Sequence, residues 1–308
     1  MEPTLEVTLA NLTLANPLIL LSGCAGFGEE LTRIEGFDFA SVGAICLKGT
    51  TLNPKEGNPP PRVAETPAGM LNAIGLQNPG AHHVVNAILP RIQNLPTRFI
   101  ANIAGSTVDE YAEVARIFDQ SPVAAIEINI SCPNVKEGGV AFGSDAIMAA
   151  RVVTAVRQAT SKPLITKLSP NVTDIRIIAR ATIESGTDML SAVNTYMGMS
   201  VDWQNERPIL GNIQGGLSGP AIKPAALLQV WRVHEVAAPH NIPIIGQGGI
   251  ASARDAVEFM LVGASAVGVG TALFHKPLIA REILAGLKAH LMAQGLDSPA
   301  RLTGGLKT

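Results

Sequence analysis

Eight short apolar segments, each followed by a stretch of helical periodicity, recur along the chain and constrain its fold more than any other feature. They lie at residues 18–21, 42–47, 98–103, 124–130, 163–168, 189–193, 243–246 and 266–269. Their apolar residues run on rather than alternate, as in strands buried on both faces, and this predicts a parallel sheet covered by helices. Helices are expected near 29–34, 81–93, 108–119, 144–159, 173–185, 224–238, 252–262 and 277–290, with Ser144 and Asp145 suited to cap the fourth. Eight such units in 308 residues predict a closed (β/α)8 TIM barrel. An open doubly wound sheet would want a dinucleotide fingerprint early on, and Gly23-Cys24-Ala25-Gly26-Phe27-Gly28 lacks the GxGxxG spacing.

The remainder fits around that repeat. Residues 5–9 and 12–14 alternate about Ala10-Asn11, a β-hairpin pattern. The stretch 52–79 has too many prolines for a helix and is expected to hold short strands, while 194–219 reads as a long polar loop. Trp203 reads as an anchor within that loop and Trp231 as a helix-packing residue. With no linker or low-complexity stretch, residues 1–308 are expected to form one barrel domain.

Composition excludes several classes of function. Apolar residues make up 47% and charged residues 16%, so a large core is available. A net charge of −2 without a basic run gives no footprint for nucleic acid. No apolar run approaches the length of a membrane span, and Met1-Glu2-Pro3-Thr4 lacks a basic region and an apolar region after it, so no signal peptide is expected. Cys24, Cys46 and Cys132 are scattered, as expected of a reduced cytoplasmic protein; with no CxxC, neither a zinc site nor an iron–sulfur cluster is expected on this chain. The six histidines form no ligand pair, and no metal site is expected.

The active site of such a barrel lies at the C-terminal strand ends. Those ends present Ser22, Lys48-Gly49, Asn102, Asn129 and Cys132, Lys167, Asn194-Thr195, Gly248-Gly249 and Gly270-Thr271. One Lys or Asn at a strand end is commonly a loop cap. Two lysines and three asparagines at one mouth point instead to a binding site. Glycines after the last two strands suit a phosphate held on backbone N–H groups, although glycines also simply permit tight turns. Lys167, in an apolar strand, is expected to point inward and to need an anionic partner. It suits either a Schiff-base nucleophile, as in a barrel lyase, or a counter-charge for a reduced cofactor; the surrounding amides suit a planar heterocycle.

Asn129-Ile130-Ser131-Cys132-Pro133-Asn134, Lys48-Gly49-Thr50-Thr51, Asn72-Ala73-Ile74-Gly75-Leu76-Gln77-Asn78, Thr166-Lys167-Leu168, Gly215-Gly216-Leu217-Ser218-Gly219, Gly248-Gly249-Ile250 and Gly270-Thr271 together resemble class 1 dihydroorotate dehydrogenases. These are FMN-dependent (β/α)8 enzymes of pyrimidine synthesis. The resemblance covers essentially the whole chain. Gln77, where the fumarate-linked class 1A usually has Pro, and the sequence following Cys132-Pro133-Asn134-Val135 resemble the NAD-linked class 1B. A class 1A-like enzyme is the alternative.

The resemblance implies that Cys132 is the base that takes the C5 proton of dihydroorotate. It implies contacts to FMN from Ser22, Lys48, Gly49, Asn102, Asn129, Lys167 and Val193, with Gly219, Gly248, Gly249, Gly270 and Thr271 on its phosphate. It implies substrate contacts from Lys48, Asn72, Ala73, Ile74, Gly75, Leu76, Asn129, Asn134, Asn194 and Thr195. The loop 135–143, with three glycines, is expected to open and close over the substrate. The resemblance further implies a homodimer of this chain and a partner subunit carrying FAD and a [2Fe–2S] cluster, two of each chain in a heterotetramer.

Overall fold

The computed structural model describes residues 2–131 and 142–307. A hairpin of β1 (Val7–Leu9) and β2 (Leu12–Leu14) leads into β3 (Leu18–Leu20) and β4 (Ala44–Cys46). The chain then leaves the barrel for β5 (Val63–Thr66) and β6 (Gly69–Asn72). It returns for β7 (Arg98–Ile103), β8 (Ala125–Asn129), β9 (Leu164–Lys167) and β10 (Met189–Ala192). A second excursion holds β11 (Tyr196–Met199), β12 (Val201–Asp202), β13 (Arg207–Pro208) and β14 (Gln214–Ser218), before β15 (Ile244–Gln247) and β16 (Ala266–Val269) complete the set. Strands β3, β4, β7, β8, β9, β10, β15 and β16 pair in that order, all parallel, and β16 closes on β3. The expected eight-stranded barrel is therefore observed, with helices between its strands.

The hairpin decides which end of the barrel is open. Val7, Leu9, Leu12 and Leu14 are buried together with Ile19, Ala44, Ile100, Ala125, Ile165, Met189, Ile245 and Ala266. Alternation along a strand sends residues i and i+2 to the same face. Two residues beyond that apolar layer, the same strands present Cys46, Asn102, Glu127, Lys167, Ser191 and Gln247. The interior thus passes from an apolar, plugged floor to a polar mouth. Burying a leucine-sized side chain in the floor contributes about 1.5–3 kcal/mol.

Helix starts follow local chemistry. Thr107 accepts from Glu110 N–H at the start of Val108–Asp119, and Asp145 accepts from Met148 N–H at the start of Ala146–Ala159. Of the two expected caps, Asp145 fills the role and Ser144 ends a preceding 3-10 turn, Phe142–Ser144. The helix expected at 81–93 contains a π-helical segment, Val84–Ile88, immediately before Leu89–Ile92. Pro90 has no N–H to continue an α-helical ladder, so the wider turn falls where that bond is missing.

The stretch 194–219 differs from a simple polar loop. Strands β11, β14, β6 and β5 form one antiparallel sheet that joins the two excursions above the barrel. Glycines obscure this in the sequence, yet Gly216 is needed: a Cβ there would lie 2.1 Å from Thr195 Oγ1. Trp203 is not an anchor, being 79% exposed beyond β12. No helix among the described residues is long and apolar enough to cross a membrane.

Candidate active site

The strand ends named from the sequence converge above the polar layer, apart from Cys132 and Asn134, which lie outside the described residues, as does most of the loop 135–143. Phe142 and Gly143, at the end of that loop, are buried. The Asn129 carbonyl accepts from Tyr111 Oη at 2.7 Å, which holds the strand end leading to Cys132. Asn129 Oδ1 accepts from Asn194 Nδ2 at 3.1 Å, joining the ends of β8 and β10. Asn72 Nδ2 donates to the Gly216 carbonyl at 3.4 Å, and Thr195 closes on Gly216, so Asn72 and Thr195 share one wall.

A second wall is built from Gly49, Leu76 and Asn102. A Cβ on Gly49 would sit 2.9 Å from Asn102 Oδ1 and 3.2 Å from Leu76 Cδ2. Thr50 N–H donates to the Asn102 carbonyl, and Asn58 N–H to that of Ile74, fixing these segments against the barrel. Ala73 N–H donates to the Arg62 carbonyl, and the Arg62 guanidinium reaches Gln77 Oε1 at 2.7 Å.

The glycine turns meet at the far side. A Cβ on Gly249 would lie 2.7 Å from the Gly219 carbonyl oxygen, and one on Gly248 would approach Ala226 and Val193. Gln247 pairs with Gly268 across β15 and β16, which puts Gly249 and Gly270 level with each other. Thr271 follows at the start of Ala272–His275.

Beneath these walls lies a charged centre that the sequence reading passed over. Glu127 is 3% exposed. Its Oε1 accepts from Asn102 Nδ2 at 2.6 Å and from Cys46 Sγ at 3.2 Å, and lies 3.8 Å from Lys167 Nζ. Its Oε2 accepts from Ser191 Oγ at 2.8 Å. This is the anionic partner that an inward Lys167 requires. Gln247 was passed over too: its Nε2 donates to the Val193 carbonyl at 3.0 Å. A Glu and a Gln inside otherwise apolar strands were the available signals.

The electrostatics follow from burial. Burial pulls the Lys48 ammonium below its ordinary value; Cys24 opposes the fall and Lys167 adds to it. Burial pushes the Cys24 thiol up to about 11 against the pull of Lys167 and Lys48. Burial and then Glu127 push Cys46 well above the usual thiol range, while a backbone hydrogen bond from Ser22 opposes them. Two buried acceptors at this mouth, Asn102 Oδ1 and Gln247 Oε1, have no hydrogen-bond partner among the described residues. Unpaired buried acceptors are costly, and a ligand with donors at this mouth would satisfy them.

The full sequence matches known proteins at a level that decides the family. Residues 4–291 match the family model described as dihydroorotate dehydrogenase. The chain belongs to the dihydroorotate dehydrogenase family. It is 51% identical to the "Dihydroorotate dehydrogenase B (NAD(+)), catalytic subunit" of Geotalea daltonii over 99% of each chain. It is 50% identical to the protein of the same name from Desulforudis audaxviator, over 99% of this chain and 98% of that one. The corresponding protein of Bacteroides thetaiotaomicron is 49% identical over 98% of this chain and 99% of its own. These full-length dihydroorotate dehydrogenase relatives place the chain in the NAD-linked class 1B expected from Gln77 and the Cys132 region.

Proposed function

We propose that this chain is the FMN-carrying catalytic subunit of an NAD-linked dihydroorotate dehydrogenase, oxidising (S)-dihydroorotate to orotate in de novo pyrimidine synthesis. The observation that carries the reading is the set at the barrel mouth: Lys167 held inward, and Asn102 Oδ1 and Gln247 Oε1 buried without partners among the described residues. A flavin ring has the donors and acceptors to fit them. Ser22, Lys48, Gly49, Asn102, Asn129, Lys167 and Val193 would hold the ring and ribityl chain. Gly219, Gly248, Gly249, Gly270 and Thr271 would hold the phosphate on a surface where a side chain at Gly249 or Gly219 would collide with backbone.

When bound, FMN supplies the acceptor for the hydride that leaves C6 of the substrate. Cys132 is the base that takes the C5 proton. Lys48, Asn72, Ala73, Ile74, Gly75, Leu76, Asn129, Asn134, Asn194 and Thr195 bind the substrate ring and carboxylate. The Asn129–Asn194 hydrogen bond supports this by joining two of the amides assigned to one flat ring. Lys167 stabilises negative charge as a preplaced cation. Its pairing with Glu127 favours this role over a Schiff base, which needs a neutral amine. The relatives' name, catalytic subunit, supports a second subunit, for which FAD and a [2Fe–2S] cluster are the expected carriers to NAD, in a heterotetramer built on a homodimer of this chain. A single domain, reduced cysteines and a cytoplasmic location complete the reading.

The test is a visible spectrum of the purified chain with FMN, followed by Cys132→Ala. Flavin absorbance is expected to co-purify or reconstitute, and the variant should keep FMN but lose at least 100-fold in dihydroorotate turnover. No FMN uptake would refute the cofactor assignment, and unchanged turnover would remove Cys132 from its role. Robust fumarate reduction by the chain alone would refute the partner-dependent route to NAD.

A further inference from the structure

Glu127 is a poor choice for stability alone. It is a carboxylate in the interior of a parallel barrel, where an apolar side chain of similar volume would avoid the cost of desolvation. Its four neighbours come from four other strands: Cys46 on β4, Asn102 on β7, Lys167 on β9 and Ser191 on β10. An ionised carboxylate only accepts, so every neighbour must turn a donor toward it. Asn102 therefore spends its amide N–H on Glu127, and its carbonyl Oδ1 is left buried, facing Gly49 and without a partner among the described residues. Lys167 spends its charge there in the same way.

The surrounding charges sharpen the point. Lys48 and Cys24 lie within electrostatic reach of Lys167. Among the described residues, Glu127 is the one carboxylate within ion-pair distance of Lys167, and none lies that close to Lys48. Among the described residues, removal of Glu127 would leave Lys167 and the half-buried Lys48 with no carboxylate at ion-pair distance, two like charges facing one mouth.

We propose that Glu127 is a positioning residue, an acceptor carboxylate under the barrel mouth that fixes Asn102 with its carbonyl outward and holds the Lys167 ammonium in place. This rests on the reading of the mouth as an FMN site, since the consequence lies in what the ring experiences. A ring held near a fixed Lys167 would accept negative charge readily, and one near a displaced Lys167 would not.

The measurement is the dissociation constant of the sulfite adduct of FMN bound to the chain, whose formation places negative charge on the ring without any substrate. Glu127→Gln preserves shape but removes the negative charge beside Lys167 and leaves one acceptor oxygen where two stood; its NH2 group can face the Ser191 hydroxyl, which can accept, so the change falls on the anchoring of Lys167. The adduct is expected to weaken at least tenfold relative to wild type at pH 7.5. An affinity within twofold of wild type overturns the proposal. So does a stronger adduct, the result of removing a negative charge while Lys167 stays in place. Ser191→Ala, which removes one donor from Oε2, covers the case in which Glu127→Gln does not fold; it is expected to weaken the adduct two- to fivefold, and no change overturns the proposal. Wild-type chain that takes up no FMN refutes the cofactor reading and this inference with it. FMN-loaded wild type with an unmoved variant refutes only the role of Glu127.

Discussion

Gly249→Ala separates the phosphate cradle from ordinary turn chemistry. Gly249 has φ +80°, where an L residue costs about 1–2 kcal/mol. The added Cβ would lie 2.7 Å from the Gly219 carbonyl oxygen and 3.2 Å from Lys223 N. Both are backbone atoms, so relief requires the two turns to move apart, at a further cost of about 1–3 kcal/mol. These are the turns assigned to the FMN phosphate. If half of that strain, about 1–2.5 kcal/mol, appears as lost cofactor contact, FMN affinity falls about 5- to 70-fold. Gly295→Ala is the control, because Gly295 has φ +66° and nothing within 4 Å of a Cβ. It shares the backbone penalty but not the collision, so it should lower stability by about 1–2 kcal/mol and leave FMN affinity unchanged. Fluorescence titration of flavin-free protein with FMN reads the affinity, and thermal unfolding reads the stability. A folded Gly249→Ala protein with wild-type FMN affinity would refute the placement of the phosphate.

Two further outcomes follow from the charges. Burial pushes the Asp255 carboxyl up, but Lys223, the Ala251 N–H and the Ser252 hydroxyl together bring it below its ordinary value. A carboxyl lowered by folding contributes stability above its unfolded pKa of about 3.9 and loses it as pH falls through the folded value. Asp255→Asn should therefore cost about 1–2 kcal/mol at pH 7, and the difference in melting temperature from wild type should narrow below about pH 4; a gap constant with pH would refute this. With its thiol pushed up to about 11, Cys24 should react with iodoacetamide at pH 8 about 100-fold more slowly than a free cysteine, and buried Cys46 more slowly still. Peptide mapping that finds either labelled as fast as free cysteine would contradict the description of the mouth.

The barrel was legible because its signals are local. Continuous apolar strands, helical periodicity and caps such as Thr107 and Asp145 are each set by residues a few positions apart. The strand-end positions of Lys48, Asn102, Asn129, Lys167 and Asn194 could likewise be read, because once strands alternate with helices the chain must reach the mouth at those points. The sheet that β6 shares with β11 and β14 was not legible: its strands are glycine-rich, and the pairing of Asn72 with Gly216 joins residues 144 apart. Glu127 shows the same division. By itself the sequence determined that a carboxylate stands in the middle of an apolar strand, two residues before Asn129. Only closure of the barrel decided its partners, because Asn102, Ser191 and Cys46 lie 25, 64 and 81 residues away and reach it from other strands. Hydrophobic burial builds each strand from its own residues, but one carboxylate can meet donors from four other strands only after the sheet has curled around them.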